Sequence, residues 1–348
     1  MSPDGDRQNP PTKTWRSGAA RSSLACCALA FVAALCAITM SVAEDVSYPT
    51  QNVRLISAFA AGGGNDFMAR ELAHKFSEEW KKNVIVEDRT GGNGDIATNY
   101  VAHATPDGHT LLVTTNATIV INPQLFKDVV QFDPVTSFAP VSLLARQPFL
   151  LVVNPKLPVK TLGELIDYAR ANPGKLNFGS SGAGGGAHLS GEMLKTFLNI
   201  KMTHVAYKGV APALQDVVAG HLDFMFSAIL TARPFVESGQ LRALAVTSRT
   251  RNSSMPDIPA VAEYPGLENF EADLWYGLLA PAKTDPTIVQ KLYQATVHAF
   301  EDPNVKARFE PYGTVLVGST PDEFAKVIKT DIDKWALVLK SADMIPQQ

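Results

Sequence analysis

Two glycine-rich stretches hold the residue types in this sequence that are best placed to bind a ligand. The first, AFAAGGGNDF (residues 58–67), and the second, GSSGAGGGAHL (residues 179–189), each lie between an apolar run and a segment of helical periodicity. The first amides of a helix have no internal acceptor and carry the positive end of the helix dipole, so bare backbone there favours an anion. Both stretches therefore predict anion binding where a strand ends and a helix begins.

Glycine amides would hold a carboxylate, the two serines of the second stretch would add hydroxyl groups, and Asp66 and His188 would organise the two helix starts. The candidates from the first stretch and the end of a following strand are Phe59, Ala61, Gly62, Gly63, Asn65, Asp66 and Asn116. The candidates from the second stretch are Ser180, Ser181, Gly185, Gly186, Ala187 and His188. The expected walls of the cleft are Tyr207, Asp223 and Trp275, the last as an aromatic face for a planar ligand.

Nucleotide binding fits these stretches poorly. Neither contains Gly-Lys-Ser/Thr, and Asp66 would place a negative charge where a nucleotide phosphate should lie. A third stretch, residues 92–97 (GNGDIA), matches the dinucleotide form G-x-G-x-x-A. However, Asp88-Arg89-Thr90 separates the glycines from the preceding strand, and the next strand ends in Thr115-Asn116 without a ribose-binding acid. A carboxylate is therefore the preferred anion.

A secreted serine hydrolase is the competing hypothesis. Ser180 or Ser181 would act as nucleophile with His188 as base, but residues 179–183 (GSSGA) do not fit G-x-S-x-G and no acid is assigned to orient His188. The seven histidines show no metal-binding spacing, so we expect neither a metal nor another cofactor.

Alternating short β-rich runs and helical segments predict an α/β fold with mainly parallel sheets flanked by helices. The pattern starts again near Phe149, and the strand LWYGLLAP (274–281) follows a proline-rich connector. We therefore expect two lobes with a ligand cleft between them, lobe 1 from residues 44–148 plus 271–348 and lobe 2 from residues 149–270.

The amino-terminal segment predicts export. Basic residues precede an apolar run from Leu24 to Met40, and Ser41-Val42-Ala43 follows it, which is the order of a signal peptide cleaved near Ala43. All three cysteines lie within residues 1–43, so the mature chain would contain no disulfide. It would keep 27 basic and 32 acidic side chains, a net charge of −5 that argues against nucleic acid or an anionic membrane as partner.

The mature sequence resembles the Bug-type solute-binding proteins, the extracytoplasmic receptors of tripartite tricarboxylate transporters. The resemblance runs from Tyr48 to about Ile345 and includes RLISAFAAGGGNDFMAR, GKLNFGSSGAGGGAHLSGE and WYGLLAPA. It implies a type II-like, two-lobed periplasmic binding protein, not an enzyme, that closes by a hinge on a small organic carboxylate between the two glycine loops. It further implies delivery by a monomer to one large and one small membrane subunit.

The identity of the ligand stays open at this point. The second loop has Gly185, Gly186 and Ala187 where the family is usually serine-rich, which favours a bulkier or aromatic acid. Dicarboxylates, tricarboxylates, amino acids and aromatic acids all remain candidates. A receptor that presents its ligand to a sensor rather than to a transporter would show the same sequence features.

Overall fold

The computed structural model describes residues 47–345, apart from residues 60, 183 and 208. The predicted signal peptide lies outside the described residues. The strands are β1 (Val53–Ser57), β2 (Val84–Asp88), β3 (Thr110–Thr115), β4 (Phe138–Gln147), β5 (Phe149–Val153), β6 (Asn177–Ser180), β7 (Thr203–Ala206), β8 (Phe224–Ala228), β9 (Arg242–Val246), β10 (Leu274–Pro281) and β11 (Val315–Leu316).

The helices among the described residues are α1 (Gly64–Trp80), α2 (Asp95–Ala102), α3 (Asn122–Leu125), α4 (Leu162–Ala171), α5 (Gly186–Leu198), α6 (Val210–Ala219), α7 (Ile229–Glu237), α8 (Pro286–Glu301), α9 (Pro303–Phe309) and α10 (Pro321–Ser341). Short 3-10 turns occupy Gly92–Gly94, Val261–Glu263 and Glu310–Tyr312, and a π-type turn occupies Ala117–Ile121. None of these helices combines the length and apolarity that crossing a membrane requires.

The first sheet has the strand order β11-β4-β10-β3-β1-β2 and forms the centre of lobe 1. Strand β1 pairs in parallel with β2 and β3, as the βαβ pattern predicts. Alternate residues of β1 enter two hydrophobic cores: Leu55 packs in the core that contains Leu72 of α1, whereas Ile56 packs in the core that contains Val101 of α2. Helices therefore cover both faces, which explains why the strand is apolar throughout.

The second sheet has the strand order β7-β6-β8-β5-β9 and forms the centre of lobe 2. Strand β6 pairs in parallel with β7 and β8, whereas β5 lies antiparallel between β8 and β9. The predicted α/β class is confirmed, but both sheets are mixed rather than mainly parallel.

The mixed strand directions follow from how the chain passes between the lobes. Pro148 alone separates β4 of the first sheet from β5 of the second, and the return passes from β9 to β10. Each strand that begins at a crossing starts where the parallel strands end: Phe149 pairs with Ala228, and Tyr276 pairs with Thr115. A strand that enters a sheet at the end where the parallel strands finish must run antiparallel to its neighbours.

Helix α10 connects the two lobes by packing. It contacts both β4 and α5, and its Trp335 and Val338 belong to the same core as Phe178 and Leu189 of lobe 2. The helix begins with a capping box, because the Thr320 hydroxyl accepts from the Glu323 amide and the Glu323 carboxylate returns to the Thr320 amide. The base of the cleft is thus bordered by two crossing segments and one shared helix.

Candidate functional site

A cavity of about 190 Å³ lies between the lobes, and we call it the interlobe cavity. Its lining comes from the turn after β3, the start of β5, the second glycine loop, the start of α6, the end of β8, the start of β10 and helix α10. The lining residues are Asn116, Ala117, Ile121, Phe149, Ser181, Gly186, Ala187, Val210, Phe226, Ser227, Ala228, Ala272, Asp273, Leu274 and Trp335. Of the predicted contacts, this cavity brings together Asn116, Ser181, Gly186 and Ala187.

A second cavity of about 160 Å³ borders the first glycine loop, and we call it the first-loop cavity. It is lined by Gly62, Gly63, Gly64, Asp66, Phe67, Arg70, Gln147, Tyr276, Phe309, Tyr312 and Thr314. Of the predicted contacts it includes Gly62, Gly63 and Asp66, and it has no lining residue in common with the interlobe cavity. The two glycine loops, expected to face one ligand, therefore border different cavities in this structure.

The start of α5 opens into the interlobe cavity. Gly185 precedes the helix, no side chain caps it, and Gly186 and Ala187 begin it. The amides of this first turn have no intrahelical acceptor. A β-carbon added at Gly186 would lie 2.7 Å from Cζ of Phe149, so glycine is required for the ring to pack against the helix start. Exposed Ser181 borders the same cavity and places a hydroxyl group beside these amides.

Buried polar side chains support the second loop from behind. The Gly184 amide donates to Nδ1 of His188 at 3.0 Å, and Nε2 of His188 lies 3.5 Å from Oε1 of Glu192. The imidazole of His188 stacks on that of His204 with a centroid separation of 3.7 Å. Burial and the neighbouring His188 lower the pKa of His204 to about 4, so His204 is neutral near neutral pH.

Ser180 belongs to this support rather than to a catalytic pair. Its side chain is completely buried, Oγ donates to the Gly182 carbonyl at 2.9 Å, and Oγ lies 2.7 Å from Nε2 of His204. His188 instead faces Glu192 and the Gly184 amide. The geometry therefore gives no accessible Ser180–His188 nucleophile.

The first loop already contains an anion of its own. Oδ2 of Asp66 accepts from the Gly62 amide at 2.8 Å, and Oδ1 lies 2.7 Å from Nε of Arg70. Burial acts to raise the pKa of Asp66, but the hydrogen bonds from Arg70 and Gly62 hold it below its ordinary value. The buried amide of Asn65 donates to Ser57 Oγ and to the Val113 carbonyl, which fixes α1 to β1 and β3. A ligand anion at α1 would therefore meet a carboxylate, whereas the side chain that makes the corresponding contact at the start of α5 is the imidazole of His188.

Asp273 lies at the base of the interlobe cavity, next to both crossing segments. Its side chain is only 5% exposed, and Oδ1 accepts a hydrogen bond from Thr247 Oγ1 at 2.8 Å. Thr247 in turn accepts from the Phe149 amide, while Nδ2 of Asn116 donates to the Asp273 carbonyl. Burial raises the pKa of Asp273 to about 7 despite the lowering effect of the hydrogen bond from Thr247.

Trp335 lines the interlobe cavity and carries a buried donor. Its side chain is 2% exposed, and its Nε1–H has no acceptor among the residues that the structure describes. A buried donor left without an acceptor costs about 1–3 kcal/mol. An acceptor atom on a ligand would remove this cost.

Trp275 and Tyr207 do not line either cavity. Trp275 is fully buried, its Nε1 donates to Asp331 at 2.7 Å, and its ring packs edge-to-face against Phe324. Tyr207 is half-buried and donates its hydroxyl to Asp216. Both side chains make hydrogen bonds within the protein, and neither lines the interlobe cavity or the first-loop cavity, so their predicted contact with a ligand stays a prediction.

Asp223 precedes β8 at the end remote from the cavity. Its Oδ2 accepts from the Asn177 amide at the start of β6, whereas Ser227 and Ala228 at the other end of β8 line the interlobe cavity. The candidates Phe59, Ala61, Asn65, Gly185 and His188 also lie outside the lining of both cavities, next to the loops they support. Strand β8 therefore lines the interlobe cavity with the end opposite to Asp223.

Sequence reasoning missed Phe149, Asp273 and Trp335. Phe149 and Asp273 flank the two crossing segments, and a signal for them exists, because the residues at which a chain changes lobe must border the cleft. Trp335 has no such signal, since its place depends on how α10 packs.

Residues 68–344 match the model of the tripartite tricarboxylate transporter family receptor. Protein BugT of Bordetella pertussis is 32% identical over 306 residues, which cover 87% of this chain and 93% of BugT.

Two solved structures are similar throughout their length. Rpa4515 of R. palustris, solved with adipate, has 32% sequence identity and a TM-score of 0.69, with coverage of 86% of this chain and 100% of that chain. MatC from Rhodopseudomonas palustris, solved with bound malate, has 31% sequence identity and a TM-score of 0.65, with coverage of 84% and 100%.

Proposed function

Because this chain belongs to the tripartite tricarboxylate transporter receptor family, with Bug-type relatives, we propose that it captures a small organic carboxylate in the interlobe cavity. The observation that carries this proposal is the uncapped start of α5 opening into that cavity. Adipate and malate, held by two relatives of known structure, are both small organic acids and support the same ligand class.

The donors around the cavity suit a carboxylate. Gly186 and Ala187 of the first turn of α5 and Ser181 line it, and so does Trp335, whose buried indole N–H has no acceptor among the described residues. A helix start contributes about 0.3–2 kcal/mol to binding an anion, so the remaining affinity must come from direct hydrogen bonds and desolvated apolar contact. We assign the carboxylate to α5 rather than to α1, because Asp66 already places a negative charge at the start of α1.

The proposal also covers where the protein works in the cell, how its lobes move and to which partner it delivers the ligand. We propose that the protein works in the periplasm after signal cleavage near Ala43, and that its lobes close on the ligand about the crossing segments at Pro148 and residues 247–273. The closed form would then deliver the acid as a monomer to one large and one small transporter subunit. A sensor as the receiving partner would leave the binding chemistry unchanged.

The test compares two matched glycines. Gly64 and Gly186 are the first residues of α1 and α5, and a β-carbon at either would collide with an aromatic side chain, Tyr276 or Phe149. The mature protein, stripped of carried ligand, is first screened by thermal shift against adipate, malate, citrate, amino acids and aromatic acids, with their amides as controls. A ligand at 100 times its Kd adds about 2.7 kcal/mol of stability, a shift of several degrees.

The best acid is then titrated into both variants by calorimetry. We expect Gly186→Ala to weaken its binding about tenfold or more, and Gly64→Ala to change it by less than about threefold. A larger loss in Gly64→Ala would move the carboxylate to α1. If no acid shifts the melting temperature while a neutral or phosphorylated compound does, the proposed function is wrong.

A further inference from the structure

Asp273 is the one ionisable side chain among the described residues that line the interlobe cavity. No lysine, arginine or histidine of the described chain joins it in the lining. Its Oδ1 accepts from Thr247, whereas Oδ2 has no hydrogen-bond partner among the described residues. The cavity thus combines anion-binding amides at one wall with a single buried carboxyl group at another.

This charge arrangement discriminates between acids. A dicarboxylate would bring a second negative charge into a cavity whose only titratable group is itself an acid, and two like charges in a desolvated site repel each other strongly. A ligand with one carboxylate and one cationic group would instead place an opposite charge next to Asp273. The attraction would offset the cost of keeping the buried carboxyl group ionised.

We propose that the ligand is an α-amino acid with an apolar side chain, whose ammonium group binds Asp273 while its carboxylate binds the start of α5. This inference rests on the proposed function and specifies its ligand class. The rest of the lining fits the side chain of such a ligand, because Ile121, Phe149, Val210 and Phe226 supply apolar surface. The volume of about 190 Å³ suits a small molecule.

Other charged groups near Asp273 do not replace this role. Glu271 acts to raise the pKa of Asp273, and Arg146 and Lys334 act to lower it. However, Arg146 pairs with Glu271 at 2.7 Å and Lys334 pairs with Asp331 at 2.7 Å, and neither cation lines the interlobe cavity. A ligand ammonium would supply the positive partner that the described cavity lining lacks.

A purely structural role is the competing explanation for Asp273. Its hydrogen bond with Thr247 joins the segment before β10 to the segment after β9, which are both parts of the connection between lobes. Such a role would affect stability and lobe closure for every ligand equally. Only a role in recognition would change the relative affinities of two ligands that differ in their ammonium group alone.

The experiment uses two matched pairs of probes and two matched variants. The probes are L-leucine against 4-methylpentanoate and L-phenylalanine against 3-phenylpropanoate, so that each pair differs only by the amine. The variants are Asp273→Asn, and as control Glu271→Gln, which removes the same charge two residues away and outside the cavity. Binding is measured by calorimetry on the mature protein, and folding of each variant is checked by circular dichroism and melting temperature.

We expect the wild-type protein to prefer the amino acid of at least one pair about tenfold or more over its deaminated partner. Asp273→Asn should lower that preference about tenfold, and Glu271→Gln should leave it within about threefold. Stronger binding of the deaminated acids, malate or adipate by the wild-type protein would overturn the inference while the proposed function stands. Failure of every carboxylate to bind would instead overturn the proposed function.

The pH dependence supplies a second, independent readout. An ammonium group needs the ionised form of Asp273, whose pKa without ligand is about 7. Affinity for the amino acid should therefore fall about tenfold per pH unit below pH 7, and this dependence should vanish in Asp273→Asn. Affinity that rises on acidification would mean that a protonated Asp273 donates to the ligand, which would overturn the ammonium assignment.

Discussion

At the scale of residues, the two glycine loops share one contact between a side chain and a backbone amide, and they differ in the charge of that side chain. Asp66 and His188 each reach back to the amide four residues earlier, at Gly62 and Gly184. The same contact leaves α1 with a carboxylate at its start and α5 with an imidazole. The glycines of both loops could be recognised from the sequence, because only their local spacing mattered. This difference in charge could not be recognised from the sequence, since it depends on which backbone amides the side chains reach.

Variants of two buried tryptophans distinguish a structural role from a role in ligand binding. Trp275 donates to Asp331, whereas Trp335 borders the interlobe cavity without an acceptor among the described residues. We expect Trp275→Phe to lower the free energy of unfolding by about 1–3 kcal/mol without changing ligand affinity, because it loses packing and a satisfied hydrogen bond. Trp335→Phe should weaken carboxylate binding about tenfold, because it removes a donor to a charged group. Denaturant unfolding and calorimetry on both variants separate the effects.

The opposite effects of the two variants on ligand binding would contradict the assignment of the binding site. If Trp275→Phe weakened binding while Trp335→Phe left it unchanged, the aromatic wall predicted from the sequence would be correct and the interlobe cavity would not be the binding site.

At the scale of elements, the strands that begin at the lobe crossings determine the architecture. Hydrophobic patterning predicts the strand at residues 274–281, and β10 has these bounds in the structure. It does not predict β4, whose run SFAPVSLLARQ (137–147) contains a proline that interrupts the strand pattern. The antiparallel direction of β5 and β10 also escaped prediction, because it depends on the end from which each strand enters its sheet.

The contact between β10 and α10 offers a test at this scale. A methyl group at Gly277 would overlap the ring of Phe324, which is fully buried. We expect Gly277→Ala to lower the free energy of unfolding by about 1–3 kcal/mol through overpacking. Adding Phe324→Leu should recover part of this loss, because the two sites share one contact. Denaturant unfolding of the single and double variants measures the coupling; strictly additive losses would show that the methyl group is accommodated elsewhere.

At the scale of the whole molecule, the buried Asp273 and the half-buried His204 link stability to pH with opposite signs. The pKa of Asp273 is about 7 in the folded state against an ordinary value of 3.8, so the folded state binds more protons between these values and loses stability as pH rises. The pKa of His204 is about 4 against an ordinary value of 6.5, so the folded state binds fewer protons and loses stability as pH falls. The two effects oppose each other between about pH 4 and 6.5.

Single variants should reveal each effect alone. Between pH 6.5 and 5, Asp273→Asn should lose stability on acidification relative to wild type, because only the His204 effect remains. His204→Asn should gain stability over the same range, because only the Asp273 effect remains. Melting temperatures measured without ligand in buffers of constant ionic strength test both slopes. Parallel slopes in all three proteins would show that neither group titrates in this window.

The position of β10 has a consequence for the order of folding. This strand lies between β3 and β4 in the first sheet, yet it follows all of the strands of lobe 2 in the chain. The strands of the second sheet are contiguous in sequence from residue 149 to residue 246, so lobe 2 can close its sheet from local contacts. The first sheet must wait, with two unpaired strand edges, until residues 274–281 arrive. We therefore expect the lobe that holds the start of α5 to fold first and the lobe that spans both ends of the described chain to fold last.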